Sequence, residues 1–384
     1  MEDLLKAIKV IETLENNQHQ AYFVGGCVRD YFLKRAYEDI DITTSAKPFE
    51  VMKYFKTVPT GLKYGTVTIL FEDAQFEVTT FRLDGKHTDF RHPDSVVYTL
   101  SEIDDVNRRD FTINGLLMDK RRKIIDHVGG LEDIKNKIVR SIGDPQARFK
   151  EDALRILRAF YFCSKLGFDL EENTAQAAGQ DKDLLDLVSG ERILTETIKI
   201  IKGQHALQAL KLLVKTNVHT KLPGLKNGIE FISNLDKMPY VDTFFVMCFI
   251  LNKGIVPSSW RFSNMQRHKY QLATKLAVDS KVITHQHLYE YGLENCLLAN
   301  KALAFLGQTK FFEKGIMQLY ETMPIKSELD IALSSMEMIA VADRKPAAWL
   351  ANFKKDCAKK ILNKEIVNDK ESVTNYLKQF LQGK

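Results

Sequence analysis

The chain has 384 residues, enough for about two to four domains, and its 45% hydrophobic, 27% charged composition is that of an ordinary folded protein. Its longest apolar run, "FFVMCFIL" from Phe244 to Leu251, is far too short to cross a bilayer, so no membrane role is expected. Five cysteines with no CxxC pair exclude a disulfide framework or a zinc ribbon and point to reduced thiols in the cytoplasm, and the charged, amphipathic N-terminus does not read as a signal peptide.

Net charge is +5, and its distribution matters more than its size. Twelve of the 16 arginines lie at or before Arg158, whereas residues 343 to 384 carry ten basic and five acidic side chains and rely on lysine. Arginine makes forked, directional hydrogen bonds to phosphates and bases; lysine acts more as a point charge. Recognition chemistry is therefore expected in the first 160 residues, and a polyanion surface near the end.

Residues 3 to 18 read as an amphipathic helix. "AYFVGG" is a short buried strand ending in a glycine turn, "VRDYFLKR" starts a helix, and "DIDITT" is a strand. "GTVTILF" and "AQFEVTTF" form a hairpin around "EDA". Residues 82 to 95 are polar, contain Gly85 and Pro93, and read as a long loop. "KIIDHVGG" and "IVRSIG" give short extended runs. The pattern changes at "GDPQARFKEDALRILRAFYFCSKLGF": Asp144 caps a helix, Pro145 suits its first position, Gly167 suits its stop, and apolar residues recur between them at helical spacing. After it almost every segment has helical periodicity. The expectation is a mixed α/β domain to about residue 140, then a long all-helical part.

Chemistry concentrates at a few places. On a strand, Asp39 and Asp41 point to the same face. Two unpaired carboxylates there are costly, and Mg²⁺ removes that cost, since it favours one or two carboxylates together with substrate phosphates. The upstream Gly25–Gly26 turn offers backbone N–H groups near a helix start, and Arg29 lies within reach of a phosphate. Either motif alone is an ordinary turn; together on a strand–turn–helix–strand frame they point to metal-dependent phosphoryl transfer. Glu77 is either a third metal-facing carboxylate or an exposed strand glutamate. Arg109 suits a nucleotide phosphate or base, and Asp110 a ribose hydroxyl, although a capped helix with surface arginines explains them too. Glu151, Asp152, Arg155 and Arg158 fall on the long helix, with Asp152 and Arg155 one turn apart. That pair is either a helix salt bridge or a base reader: a carboxylate accepts from the amine of cytosine or adenine, and a guanidinium donates to the ring nitrogen beside it.

Five stretches, "GGCVRD…EDIDITT", "RRDFTINGL", "DHVGGLEDI…IVR", "EDALRILR" and "ERI", resemble in order the five motifs of class II CCA-adding enzymes, the bacterial-type tRNA nucleotidyltransferases. The resemblance covers roughly residues 20 to 195. It implies an α+β fold: a polymerase-β-like nucleotidyltransferase head (1–140), then an all-helical neck (141–205), body (206–285) and tail (286–384). It implies Mg²⁺-dependent, template-independent addition of C, C and A to the tRNA 3′ end from CTP and ATP. Asp39 and Asp41 then match the metal ligands, Gly26 and Arg29 triphosphate contacts, Arg109 a nucleotide contact, and Asp152, Arg155 and Arg158 the base-reading residues; residues 126 to 140 match a hinge. Tyr161 stands where an arginine is usual, so tyrosine or a neighbour such as Lys165 must serve there. A loop from Arg82 to Pro93 of full length favours complete CCA addition and is expected to switch the site from CTP to ATP. A poly(A) polymerase, a partial CC- or A-adding enzyme, and an inactive RNA-binding protein are the alternatives. Nothing in the sequence marks an obligate protein partner.

Overall fold

A computed structural model describes residues 2–36, 39–85 and 94–382. It divides into two compact units, Met1–Met238 and Pro239–Lys384.

In the first unit, helix α1 (Glu2–Asn16) buries Leu4, Ala7, Val10, Ile11 and Leu14, the stripe its periodicity dictates. Strands β1 (Ala21–Val24) and β2 (Asp41–Thr44) are joined through α2 (Gly26–Phe32). Helix α3 (Pro48–Tyr54) leads to β3 (Lys56–Gly61) and the expected hairpin β4 (Thr66–Phe71) and β5 (Ala74–Thr80). Next come β6 (Arg82–Asp84), β7 (Val96–Tyr98), α4 (Glu102–Asn107), β8 (Leu117–Met118) and β9 (Ile124–Ile125). Seven of these strands make one sheet in the order β3-β4-β5-β2-β1-β8-β9. β1 pairs antiparallel with β2 and β8, and β2 pairs parallel with β5, so the sheet is mixed. The largely buried strands β1 and β2 lie toward its middle.

The expected six-residue strand at "DIDITT" is shorter than read: β2 starts at Asp41, and Asp39 precedes it. The cause is its partner. Val24 pairs with Asp41, and the next residue, Gly25, turns away at φ +78°, a conformation that side chains rarely adopt, so Asp39 has nothing on β1 to bond. The polar loop is bounded by β6 and β7, which pair with each other in a separate two-stranded ladder. Residues 86–93 of the expected switching loop lie outside the described residues.

Helix α5 (Gly130–Asn136) is held by Asp126, whose carboxylate accepts from Val128 N, Gly130 N and Leu131 N. Strand β10 (Ile138–Val139) pairs with β11 (Asp169–Leu170). Between them the single helix expected over 144–167 is two: α6 (Pro145–Glu151) and α7 (Leu154–Leu166). Its ends are as read. Asp144 accepts from Gln146 N and Ala147 N, Pro145 is the first residue, and Gly167 closes α7 at φ +72°. The break lies at Asp152, which is extended at φ −139°, ψ 101°. Helices α8 (Glu172–Gln180), α9 (Gly190–Lys202), α10 (Ala206–Lys215) and α11 (Lys226–Ile232) complete the unit, with α9 and α10 packed on α7.

The second unit is helical: α12 (Val241–Leu251), α13 (Asn264–Asp279), α14 (His285–Tyr291), α15 (Leu293–Phe305), α16 (Glu313–Glu321), α17 (Ser335–Ala342), α18 (Ala348–Leu362) and α19 (Lys370–Gln382). The apolar run "FFVMCFIL" falls on α12. That helix is buried from Thr243 to Phe249, with Phe245 and Phe249 packed among Trp260, Phe262 and Tyr270. Among the described residues no helix is long and apolar enough to cross a membrane.

Candidate active site

Three carboxylates meet at the start of β2. Asp41 stands opposite Glu77 in the β2–β5 register, and Asp39, Asp41 and Glu77 line one open cleft of about 820 Å³. Burial first, then the Glu77 charge, push the Asp41 carboxyl up from 3.8 to about 6; Asp39 adds to the rise and Arg109 opposes it. Among the described residues neither Asp39 nor Asp41 has a cationic side chain within ion-pair distance. Nor, among the described residues, does any group of three or more histidine, cysteine, aspartate or glutamate side chains come together to hold a metal ion. Hard oxygen donors with uncompensated charge, too few to enclose an ion, fit a divalent cation that takes its remaining ligands from substrate phosphates.

Beside this cleft is a cavity of about 430 Å³. Gly25, Gly26, Arg29, Asp41, Arg109, Asp110, Asp152, Arg155, Arg158 and Tyr161 line it, so of the site residues read from the sequence only Asp39, Glu77 and Glu151 do not face it. Asp41 belongs to both spaces and joins them.

Gly26 is the first residue of α2, after the Gly25 turn. Arg29 is only 2% exposed. Its Nε and Nη2 donate to Asp30 at 2.8 and 2.9 Å, its Nη1 donates to Asn114 Oδ1 at 2.6 Å, and its guanidinium lies 5.3 Å from the Phe162 ring centre. Its guanidinium is therefore fixed in place beneath the cavity, with its charge paired to Asp30.

Arg109 follows α4, and its Nη2 donates to Asp105 Oδ2 at 2.9 Å. Asp110 is engaged: Oδ2 accepts from Arg158 Nε and Nη2 at 2.9 and 2.6 Å, and Oδ1 from Phe111 N and Asn114 Nδ2. Burial would raise the Asp110 carboxyl, but Arg158 and Asn114 hold it below its ordinary value.

Asp152 and Arg155 do not pair with each other. The helix break turns Asp152 outward from the register of α7, where its carboxylate accepts from Leu154 N at 3.1 Å and from Arg192 Nη2 at 3.1 and 3.0 Å. Arg155 pairs instead with Glu151 at 2.7 Å and donates to Arg108 O at 2.9 Å. Both remain on the cavity wall. At Tyr161, Lys199 of α9 lies 5.5 Å above the ring, and Lys165 approaches Asp30 at 3.7 Å; both lysines face the cavity. Lys199 is thus a second cation beside the tyrosine, next to the expected Lys165.

Sequence reasoning passed over Asp105, Arg192 and Lys199. Asp105 had a local signal, since Asp105, Arg108 and Arg109 stand three and four apart on a helical stretch. Arg192 stood within "ERI" without a partner to name, because Asp152 is 40 residues away. Lys199 had no signal: it reaches the cavity only because α9 packs on α7.

A mixed sheet with a glycine turn and crowded carboxylates, followed by helices that close a cavity over it, defines a nucleotidyltransferase of the polymerase-β-like class. The "Poly A polymerase head domain" description matches residues 21–140, the polymerase A RNA- and SrmB-binding-site description residues 167–229, and tRNA nucleotidyltransferase domain 2 residues 254–377. The CCA-adding enzyme of Anoxybacillus flavithermus is 34% identical over 98% of this chain and 97% of its own. That of Bacillus pumilus is 36% identical over 98% and 97%. The crystal structure of the Bacillus stearothermophilus CCA-adding enzyme in complex with CTP superposes with a TM-score of 0.82 at 30% identity, over 99% of this chain and 98% of that one. The chain belongs to the CCA-adding enzyme family.

Proposed function

We propose that the cavity between Asp41 and Asp152 binds CTP and ATP in turn and adds C, C and A to the 3′ end of tRNA, without a nucleic-acid template. One observation carries this: a single cavity is lined both by Asp41, whose carboxylate has no cationic partner among the described residues, and by the carboxylate of Asp152 and the guanidinium of Arg155 at a helix break. In the reaction the tRNA 3′ oxygen bonds to the α-phosphorus, the bond to the β-phosphate oxygen breaks, and pyrophosphate leaves with that electron pair.

Asp39 and Asp41 would hold Mg²⁺, with Glu77 beside them. When bound, the ion offsets phosphate charge and favours ionisation of the attacking hydroxyl. The Gly26 turn and Arg29 hold the triphosphate against the floor of the cavity. Arg109 and Arg158 add positive charge along its wall, and Tyr161 with Lys199 and Lys165 closes the α7 side. Asp152 accepts from the amine of cytosine or adenine, and Arg155 donates to the adjacent ring nitrogen. Uracil and guanine present a carbonyl to Asp152 and are repelled. Arg192 Nη2 donates to both oxygens of Asp152 and so limits its rotation.

The proposed division of labour is catalysis in 1–140, base reading in 141–205, a helical body in 206–285 and tRNA binding in the tail, 286–384. The boundary between the compact units falls inside that body. Five buried free cysteines and a tRNA substrate support a cytoplasmic site of action. The test is incubation with tRNA lacking its CCA end plus each nucleotide, alone and together. Three added residues, C, C and A, are expected with CTP and ATP. A long A tract would assign a poly(A) polymerase, and products stopping at CC or requiring a CC end would assign a partial enzyme.

A further inference from the structure

The cavity wall holds one donor that the chain leaves unanswered. Arg109 Nε is buried without a hydrogen-bond partner among the described residues, while Nη2 of the same guanidinium is tied to Asp105. A buried N–H left unpaired is costly, and such groups persist where a ligand supplies the acceptor.

What aims that donor is Asp105. This carboxylate is fully buried, yet it takes no part in lining the cavity. Its Oδ1 accepts from Arg108 Nε at 2.8 Å and lies 2.7 Å from Arg108 Nη2. Its Oδ2 accepts from Arg109 Nη2 at 2.9 Å and from Thr43 Oγ1 at 3.0 Å. Thr43 is two residues from Asp41 on β2, and so on the same face of the strand. One carboxylate thus clamps a nucleotide-facing arginine to the strand that carries the metal-facing aspartate. Arg108, pinned to the other oxygen, keeps the clamp from rotating.

We propose that Asp105 is a positioning residue, which holds Arg109 in register with Asp41 so that this incompletely paired guanidinium meets a phosphate oxygen of the incoming CTP or ATP. The inference rests on the reading of this cavity as the nucleotide site.

The test compares Asp105→Asn, Asp105→Glu, Arg109→Ala and the Asp105→Asn/Arg109→Ala double variant on tRNA lacking its CCA end. Loss of a charge-assisted bond that positions a ligand-binding arginine should raise KM for both CTP and ATP about tenfold to a hundredfold. KM for tRNA and kcat should stay within about threefold of the parent. Asp105→Glu should recover part of the lost affinity. The double variant should be no worse than Arg109→Ala by more than about threefold, because Asp105 acts through Arg109. Multiplying effects in the double variant, or an equal rise in KM for tRNA, overturns the inference. If Asp105→Asn does not fold, Thr43→Val loosens the clamp without unpairing a charge; a smaller rise in nucleotide KM is then expected, absent when Arg109 is alanine, and an unchanged KM overturns it. Failure of the underlying reading is seen separately, in a parent protein that makes no CCA ends.

Discussion

Two carboxylates serve the same strand in opposite surroundings. Asp41, at the head of β2, is crowded by Glu77 and Asp39, and its carboxyl is pushed up to about 6. Asp105 touches β2 two residues along, at Thr43, but two guanidiniums embrace it. Burial alone would raise the Asp105 carboxyl as well; Arg109 and Arg108 override it and draw the group down to about 2. The difference separates substrate chemistry from scaffold. Charge that the fold leaves uncompensated awaits a cation and phosphates, whereas charge that it compensates holds the parts in place.

The largest effect should come from disturbing the uncompensated side. Asp41→Asn keeps the shape and removes a charge of the proposed metal site. Turnover should drop by at least about a thousandfold, the scale of several kcal/mol of transition-state stabilisation. Because the lost charge was repelled by its neighbours, the melting temperature at pH 7 should not fall. Single-turnover assays and thermal melts check the pair, and an Asn variant that is active, or inactive only because it is unfolded, would erase the contrast.

Asp152 is intermediate: one arginine compensates it, yet it faces the cavity. Asp152→Ala should chiefly relax base choice, lowering discrimination against UTP and GTP about tenfold to a hundredfold. Misincorporation measured with each nucleotide decides this. A variant that slows while keeping strict C and A selection would move base reading elsewhere. Arg192→Ala should relax selection less, since it frees the carboxylate rather than deleting it.

The compensated side should answer in stability, with a sign fixed by its direction. The Asp105 carboxyl is lower in the folded state than its ordinary 3.8, so its contribution is present above that value and lost as pH falls through about 2. A drop of that size corresponds to about 2 kcal/mol at pH 7. Asp105→Asn should lower unfolding free energy by about that amount at pH 7, and the gap from the parent should narrow from pH 4 downward. Urea titrations across that range measure it; a gap that stays constant with pH would mean that the loss is steric.

How much of the fold and site was legible in the sequence depended on how local the cause was. The ends of the 144–167 segment could be read, because Asp144, Pro145 and Gly167 act on their own backbone neighbours. The break at Asp152 could not: "KEDALRILR" is good helix-forming sequence, and the carboxylate that leaves the helix is gripped by Arg192 from another helix. Asp39 and Asp41 were recognisable as a pair, but where their strand begins was decided by the turn at Gly25 on the neighbouring strand. Asp105 carried a spacing signal that a capped surface helix produces equally well. Burial distinguishes the two, and burial is set by β2.

The smallest effect should come from charge that is neither crowded nor locked in: the lysines of the second unit. Residues 343 to 384 have a surplus of five positive charges, but part of that surplus is engaged. Lys360 pairs with Glu365 and Lys370 with Glu337, each at 2.6 Å. Truncating the chain near residue 340 would also remove Phe353, Cys357, Ile361, Val373 and Leu377 from a buried core, so it would test folding rather than charge. The sharper change is Lys355→Gln, Lys359→Gln and Lys378→Gln together, on exposed positions of α18 and α19 with no ion pair among the described residues. Removing one lysine–phosphate interaction should flatten the slope of log affinity against log salt by about 0.7 to 0.9. The triple variant should therefore bind tRNA more weakly at low salt and approach the parent as salt rises, with CTP and ATP selection unchanged. An unchanged slope would make these lysines ordinary solvated surface and confine phosphate recognition to the arginine-rich first unit.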